Sequence, residues 1–141
     1  MVMITRRSAA ARERYAPVMR RILTSYFDNR VPHARISSDG LLSAGNDATQ
    51  LTWMDATVHG RPVTPRSGLA VEINALWYNA LCVIANFARE LDKEPAAFET
   101  LAAEAKEGFA RFWNPEVSYC YDVLDTPVGE DDLSLRPNQL L

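Results

Sequence analysis

The stretch TQLTWMDATVHGRPVTPRSGLAVEINALWYNAL, residues 49–81, changes character at its midpoint, and that change decides the fold. Its first part belongs to residues 46–69, where Gly60, Pro62, Pro65 and Gly68 predict a long structured loop. Long loops in compact domains tend to carry function. From about residue 71 to 91 the pattern turns helical, with Ile73, Leu76, Trp77, Ala80, Ile84, Phe87 and Leu91 on one wide arc. At about 100° per residue, Leu81, Ala85 and Ala88 widen that arc and leave Asn79, Asn86 and Glu90 as a narrow polar strip. A helix this apolar must be covered on most sides.

Working outward, the next helix starts with Pro95 in its first turn. It carries Phe98, Leu101, Ala105, Phe109 and Phe112 at helical spacing, with Glu99, Glu104, Lys106, Glu107 and Arg111 on the other face. Asp92-Lys93-Glu94 joins the two helices as an antiparallel pair. On the N-terminal side, Tyr15, Met19, Ile22 and Tyr26 form a stripe across residues 8–27, and Pro17 predicts a kink or two segments meeting there. Asp28-Asn29 and Pro32 end that helix. ARISSDGLLSAG, residues 34–45, predicts a small hairpin turning at Ser38-Asp39-Gly40. SYCYDVLD, residues 118–125, reads as one short strand, and Pro137 sits near the first turn of a further helix.

The chain has 141 residues, the size of one domain, with 48% hydrophobic and 23% charged residues, as expected for a globular protein. A net charge of -3 argues against nucleic acid, because phosphate binding wants a basic face. Arginines gather near the start (Arg6, Arg7, Arg12, Arg14, Arg20, Arg21), and charges of this kind usually form a solvated helix face. No apolar run reaches the ~20 residues that cross a bilayer, and the N-terminal residues do not resemble a secretory signal; membrane is not an expected partner, and the expectation is a cytoplasmic protein. Cys82 and Cys120 lie far apart, and His33 and His59 stand alone, so neither a disulfide framework, a metal site nor a cofactor is implied.

Glycosidic bonds are usually broken by two carboxylic groups, one protonating the leaving oxygen and one activating water or attacking the sugar. Asp55, flanked by Trp53 and Met54, is a candidate for the acid, since shielding from water would favour its protonated form. Trp53 offers a platform to the apolar face of a sugar ring; a turn-capping Asp55 and a core Trp53 are the plainer alternative. Arg66 could grip hydroxyls or orient Glu72 or Asp47, and a structural ion pair serves equally well. Glu72 suits the first turn of its helix. Asn74 and Tyr78, four apart and so on one face, interrupt an apolar surface, and buried polar groups need partners, of which a substrate's hydroxyls are one kind, so both are candidates for substrate binding.

The strings TQLTWMDA (residues 49–56), TPR-G (64–68), VEINALWYNAL (71–81) and LRPNQ (135–139) resemble the amylo-α-1,6-glucosidase domain of glycogen debranching enzymes. The resemblance spans nearly the whole chain and is weakest in the first residues and in residues 94–108. It implies a mainly α fold, a partial (α/α)6 toroid with a short β-hairpin and one further short strand. Residues 1–141 would then be a fragment of one catalytic domain, truncated at its C-terminus. The implied activity is hydrolysis of α-1,6 branch linkages of an α-glucan with inversion. By the same resemblance Asp55 matches the general acid, and Trp53, Arg66, Glu72, Asn74, Arg136 and Asn138 match positions that line or brace the pocket. The family's general base would lie beyond Leu141. AGNDATQ departs from the family pattern, which weakens Asn46 and Asp47 as ligands.

A six-hairpin toroid cannot close with two or three hairpins, so the apolar arc of residues 71–91 is expected to face water. At ~25 cal/mol per Å2 this costs several kcal/mol and predicts self-association. Two other functions fit the residues: a noncatalytic helical module that binds glycan or assembles with a partner, and a six-hairpin glycosidase of different α-glycoside specificity.

Overall fold

A computed structural model describes residues 9–46, 48–49 and 51–140. Helix α1 spans Ala9–Phe27 and runs through Pro17, so the two segments expected to meet there are one. Proline withholds the bond that residue 17 would give to the carbonyl of Glu13. Both residues are exposed, so that carbonyl faces solvent, which limits the cost. α1 buries Ala16 and Leu23 with Met19 and Tyr26 half-buried beside them, whereas Tyr15 and Ile22 are exposed. The buried ridge is thus rotated by part of a turn from the expected stripe. Asn29, at φ 52°, ends the helix: its N–H bonds the carbonyl of Tyr26 at 3.0 Å, and the N–H of Arg30 bonds that of Ser25 at 2.8 Å. This pair of bonds satisfies carbonyls that a helix end otherwise leaves orphaned.

Strands β1 (Ala34–Ile36) and β2 (Leu42–Ala44) form the expected antiparallel hairpin, with Ile36 opposite Leu42. The long loop that follows contains a second hairpin, of β3 (Thr57–Val58) and β4 (Arg61–Pro62). His59 and Gly60 close it with φ of 50° and 74°, and two positive φ values in a row are the type I′ geometry that matches strand twist. Strand β5 (Leu69–Ala70) then passes directly into helix α2 (Val71–Glu90). Helix α3 (Ala96–Gly108) follows, with Pro95 immediately before its first residue. Between the two helices Asp92 takes φ 52°, and the N–H of Lys93 bonds the carbonyl of Ala88 at 2.8 Å, the same end motif as in α1.

Both α1 and α3 pack on α2. Trp77, Leu81, Ile84 and Phe87 of α2 meet Leu23 of α1 and Phe98, Leu101 and Ala105 of α3 in one core cluster. The apolar arc expected to face water is therefore covered by the chain's own neighbouring helices; Leu76, 58% exposed, is its main uncovered member. Gly40, at the tip of the β1–β2 turn, docks on α3. A Cβ there would stand 2.7 Å from the amide nitrogen of Ala105, and its φ of +76° is one that side chains disfavour. Trp77 donates its indole N–H to the Gly40 carbonyl at 3.0 Å from beneath.

After a 3-10 turn at Phe109–Phe112, β6 (Trp113–Asn114) pairs with β7 (Tyr119–Cys120), while β8 (Val123–Leu124) pairs with β5. The single strand expected at residues 118–125 is thus two pieces with different partners. The chain turns at Tyr121-Asp122, where the N–H of Tyr121 bonds the Phe112 carbonyl and that of Asp122 bonds the Asp132 carbonyl, each at 2.8 Å. Leu69, Val71, Leu41, Phe112 and Leu124 form a second core cluster there. A 3-10 turn at Pro137–Leu140 stands where a helix start was expected. The described residues form three helices and four two-stranded pairs, a mixed architecture with no closed ring.

Candidate functional site

Arg66 stands just before β5 with its side chain fully buried, and it must find partners because an unpaired buried charge is costly. It finds two carboxylates. Its Nη1 and Nη2 donate to Glu72 Oε1 and Oε2 at 2.5 and 2.6 Å, and its Nε and Nη2 to Asp122 Oδ2 and Oδ1 at 2.7 and 3.1 Å. Six residues separate Arg66 from Glu72, so β5 and the first turn of α2 fold the chain back over a short span. Asp122 arrives from the other side of the β5–β8 pair, where the N–H of Val71 also bonds its carbonyl at 3.0 Å. Gly68 makes that approach possible: at φ +122°, a Cβ there would lie 2.5 Å from the carbonyl oxygen of Leu124.

Asp122 takes further donors. Arg136 Nη1 bonds Asp122 Oδ2, and also Asp132 Oδ2 at 2.6 Å. Asn138 Nδ2 donates to Asp122 Oδ1 at 2.8 Å, while Asn138 Oδ1 accepts from the indole of Trp53 at 3.0 Å. Gln139 secures this terminal segment, donating to the carbonyls of Cys120 and Ser134 at 2.9 and 3.0 Å and accepting from the N–H of Arg136 at 2.9 Å. Two arginines and three carboxylates thus interlock beneath the loop carrying Trp53. Desolvation works against the charge of Arg66, but bonds and attraction from Glu72 and Asp122 outweigh it and raise its pKa. Arg136 is raised against its own desolvation by Asp132 and Asp122. Burial pushes Asp132 up, and bonds from Arg136 and Ser134 more than reverse that, leaving it below the usual range.

Trp53 is pinned by its nitrogen yet 61% exposed, so its ring is displayed to solvent. Asp55, two residues on, is exposed, with no ion-pair partner among the described residues. The shielding expected from its neighbours is therefore not supplied by the described residues; the indole of Trp53 is drawn toward Asn138. Of the two roles expected for Glu72 and Asn74, lining the pocket or bracing it, the contacts described are bracing ones. Glu72 is locked to Arg66, and it does not cap the helix backbone. Asn74, fully buried, accepts from the N–H of Leu42 at 2.7 Å and donates to the carbonyls of Leu42 and Ala70 at 3.2 and 3.0 Å, so it hooks β2 onto α2.

Tyr78 stands apart from this cluster. It lines a groove between α2 and α3 with Cys82, Arg89, Ala102 and Lys106, and interaction with Cys82 raises its hydroxyl pKa. Cys82 is half-buried there, consistent with a small packing residue. Asn46 bonds His33, and Asp47 lies outside the described residues. Burial pushes the Cys120 thiol upward. An apolar groove between α1 and the α2–α3 turn, lined by Ala16, Pro17, Ile84, Ala88, Leu91 and Phe98, includes no residue of the Trp53–Asn138 cluster. Among the described residues no group of three His, Cys, Asp or Glu could hold a metal ion, and no helix is long and apolar enough to cross a membrane.

Asp122, Asp132 and Gln139 were not singled out by the sequence reading. Asp122 left one trace, a charged residue between Tyr121 and Val123 in a strand-like run, where burial would demand a cationic partner.

An exposed carboxyl two residues from a displayed tryptophan, on a loop braced by buried ion pairs against a helical scaffold, suits a glycosidase-type domain. Residues 2–141 match the amylo-alpha-1,6-glucosidase family, and the chain belongs to it, in keeping with the C-terminal domain of a glycogen debranching enzyme. No curated protein and no solved structure gives a significant match to the chain.

Proposed function

We propose that this chain is part of a debranching α-glucosidase that hydrolyses α-1,6 branch linkages of glycogen or a related α-glucan with inversion. Asp55 is its general acid and Trp53 its sugar platform. The observation that carries this is the placement of Asp55: it is unpaired among the described residues and exposed, two residues from an indole whose position is fixed and whose face is open. The family membership supports the same reading. Arg66, Glu72, Asn74, Arg136 and Asn138 act here by bracing, and Tyr78 by packing between α2 and α3.

Inversion requires a second carboxylate roughly 6.5–9.5 Å from the first, with room for water. The family resemblance places the base outside this chain, in a longer catalytic domain that completes a ring of helices, and Glu72, the internal candidate whose contacts are described, is consumed by Arg66. Bound sugar and those helices would then supply the cover that Asp55 lacks. In the parent enzyme, Asp55→Asn should lower kcat on a limit dextrin by about 10²–10⁴-fold. The isolated chain should release no glucose from isomaltose or limit dextrin, and a substantial rate would overturn the assignment of the base.

The locked state of Glu72 also suits a module that binds glycan without cleaving it, alone or with a partner. In that case Asp55→Asn would leave oligosaccharide binding intact and there would be no hydrolysis to lose. A different α-linked substrate would show as cleavage of that glycoside in preference to the α-1,6 branch.

A further inference from the structure

We infer that Asp122 is a positioning residue for the sugar platform: through the side-chain amide of Asn138 it fixes the indole of Trp53. The inference rests on the function proposed above for its consequence, and on geometry alone for its mechanism.

The amide of Asn138 has two unlike ends. Its NH2 donates to Asp122 Oδ1 at 2.8 Å and approaches Met54 Sδ at 3.6 Å, while its oxygen accepts from Trp53 Nε1 at 3.0 Å. An indole N–H can only donate. Trp53 is therefore anchored only while the oxygen of Asn138 points toward it, which requires an acceptor at the NH2 end. A carboxylate is acceptor-only, so Asp122, paired with two guanidinium groups, enforces that orientation. Asp122 is fully buried, and its own position is set by Arg66 on one side and Arg136 on the other. The order of control runs from the arginines to Asp122, then to Asn138, then to Trp53. Asn138 contacts both residues that precede Asp55, so the same relay sets the base from which Asp55 projects.

Asp122→Asn tests this with almost no change of shape. Oδ2 receives two arginine donors, Arg66 Nε and Arg136 Nη1, whereas Oδ1 receives one arginine donor and the Asn138 amide. The new amide should keep its oxygen toward the two arginine donors and turn its NH2 toward Asn138. Asn138 must then flip and present its own NH2 to the Trp53 N–H, donor against donor.

The chain has three tryptophans, so a 15N-labelled sample gives three indole N–H resonances. Trp77, bonded to the Gly40 carbonyl, is the internal control, and exposed Trp113 is the reference for a free indole. In both Asp122→Asn and Asn138→Ala, the Trp53 indole proton should exchange with water at least about tenfold faster and its resonance should move toward that of Trp113. Trp77 should not change. A simple loss of folding would release Trp77 as well; Arg136→Gln, which loosens Asp122 and leaves Arg66 in place, then carries the test of Asp122 by the same shift of the Trp53 resonance, while Asn138→Ala tests the amide's own hold on the indole. A Trp53 resonance unaltered in folded Asp122→Asn overturns the relay, whatever Asn138→Ala shows. Titration of the unmutated chain with isomaltotriose is read separately: a shifted Trp53 resonance, with about tenfold weaker binding in the two variants, supports the platform. No response of the unmutated chain would count against the sugar function and leave the relay, judged without ligand, standing.

Discussion

Arg66 and Glu72 face one another through two parallel bonds, Nη1 to Oε1 at 2.5 Å and Nη2 to Oε2 at 2.6 Å, with both side chains shut away from solvent. Asp122 closes the third side. Removing the cation would strand buried Glu72 and leave Asp122 with Arg136 as its remaining arginine, and breaking a buried pair in this way costs about 3–5 kcal/mol. Arg66→Met should lower the midpoint of urea unfolding accordingly. Arg66→Lys should recover little of it, since an ammonium cannot reproduce the planar fork.

Asn74→Ala should weaken the seam between β2 and α2. It leaves the N–H and carbonyl of Leu42 in a buried place without their partner, and an unsatisfied buried group costs about 1–3 kcal/mol. The same substitution should not alter the Trp53 indole resonance. A change in sugar binding with unchanged stability would instead return Asn74 to the ligand-facing wall.

Gly68→Ala should destabilise by more than the helix-propensity difference between the two residues. The added methyl would fall 2.5 Å from the Leu124 carbonyl at a backbone angle that side chains disfavour, pushing β5 away from β8. Asp122 would then be drawn off Arg66. Thermal unfolding of Gly68→Ala beside Gly60→Ala separates strain from contact, because a Cβ at Gly60, also at positive φ, meets nothing within 4 Å.

Acid should erode stability through particular groups. For Asp132, burial raises the pKa, but bonds from Arg136 and Ser134 bring it below 3.8. For Asp39, burial likewise raises it, and Ser37 and Arg111 bring it below 3.8. A carboxyl whose folded pKa is depressed stabilises fully above its unfolded value, and that contribution is lost as pH falls through the folded value. Unfolding free energy should therefore be flat near neutrality and fall below about pH 4. Asp132→Asn and Asp39→Asn should each flatten that acid limb in denaturant titrations at pH 2–5.

Self-association should run through α1 and not through the arc of α2. Tyr15, Val18 and Ile22 are exposed at helical spacing on α1, while the α2 arc is covered apart from Leu76. Light scattering should show mass rising with concentration, and Val18→Glu with Ile22→Lys should abolish the rise. A compact monomer at all micromolar concentrations would refute this.

Much of the framework was legible from pattern alone. The hairpin of β1 and β2, the α2–α3 pair with its short turn and the end of α1 at Asn29 all follow from local periodicity and turn chemistry, which act over a few residues. The errors have a common cause. The buried face of α1 depended on where α2 lies, the α2 arc found cover inside the same chain, and residues 118–125 divided because their two halves met different partners. The site divides in the same way. Trp53 and Asp55 were identifiable as candidate sugar chemistry close together in sequence, whereas the shielding expected for Asp55 depended on neighbours in space, and the described structure leaves it exposed.

The sequence by itself determined the family, the positions of the three α-helices and the candidates for the proposed chemistry, Trp53 and Asp55, because motif order and hydrophobic period are written along the chain. Only the tertiary structure decided that Arg66, Glu72, Asn74 and Asn138 turn inward, and that Asp122 joins them. Ion pairs and amide bonds between residues up to 85 positions apart arise from close approach in space, and no local spacing encodes which of several carboxylates a buried arginine will meet.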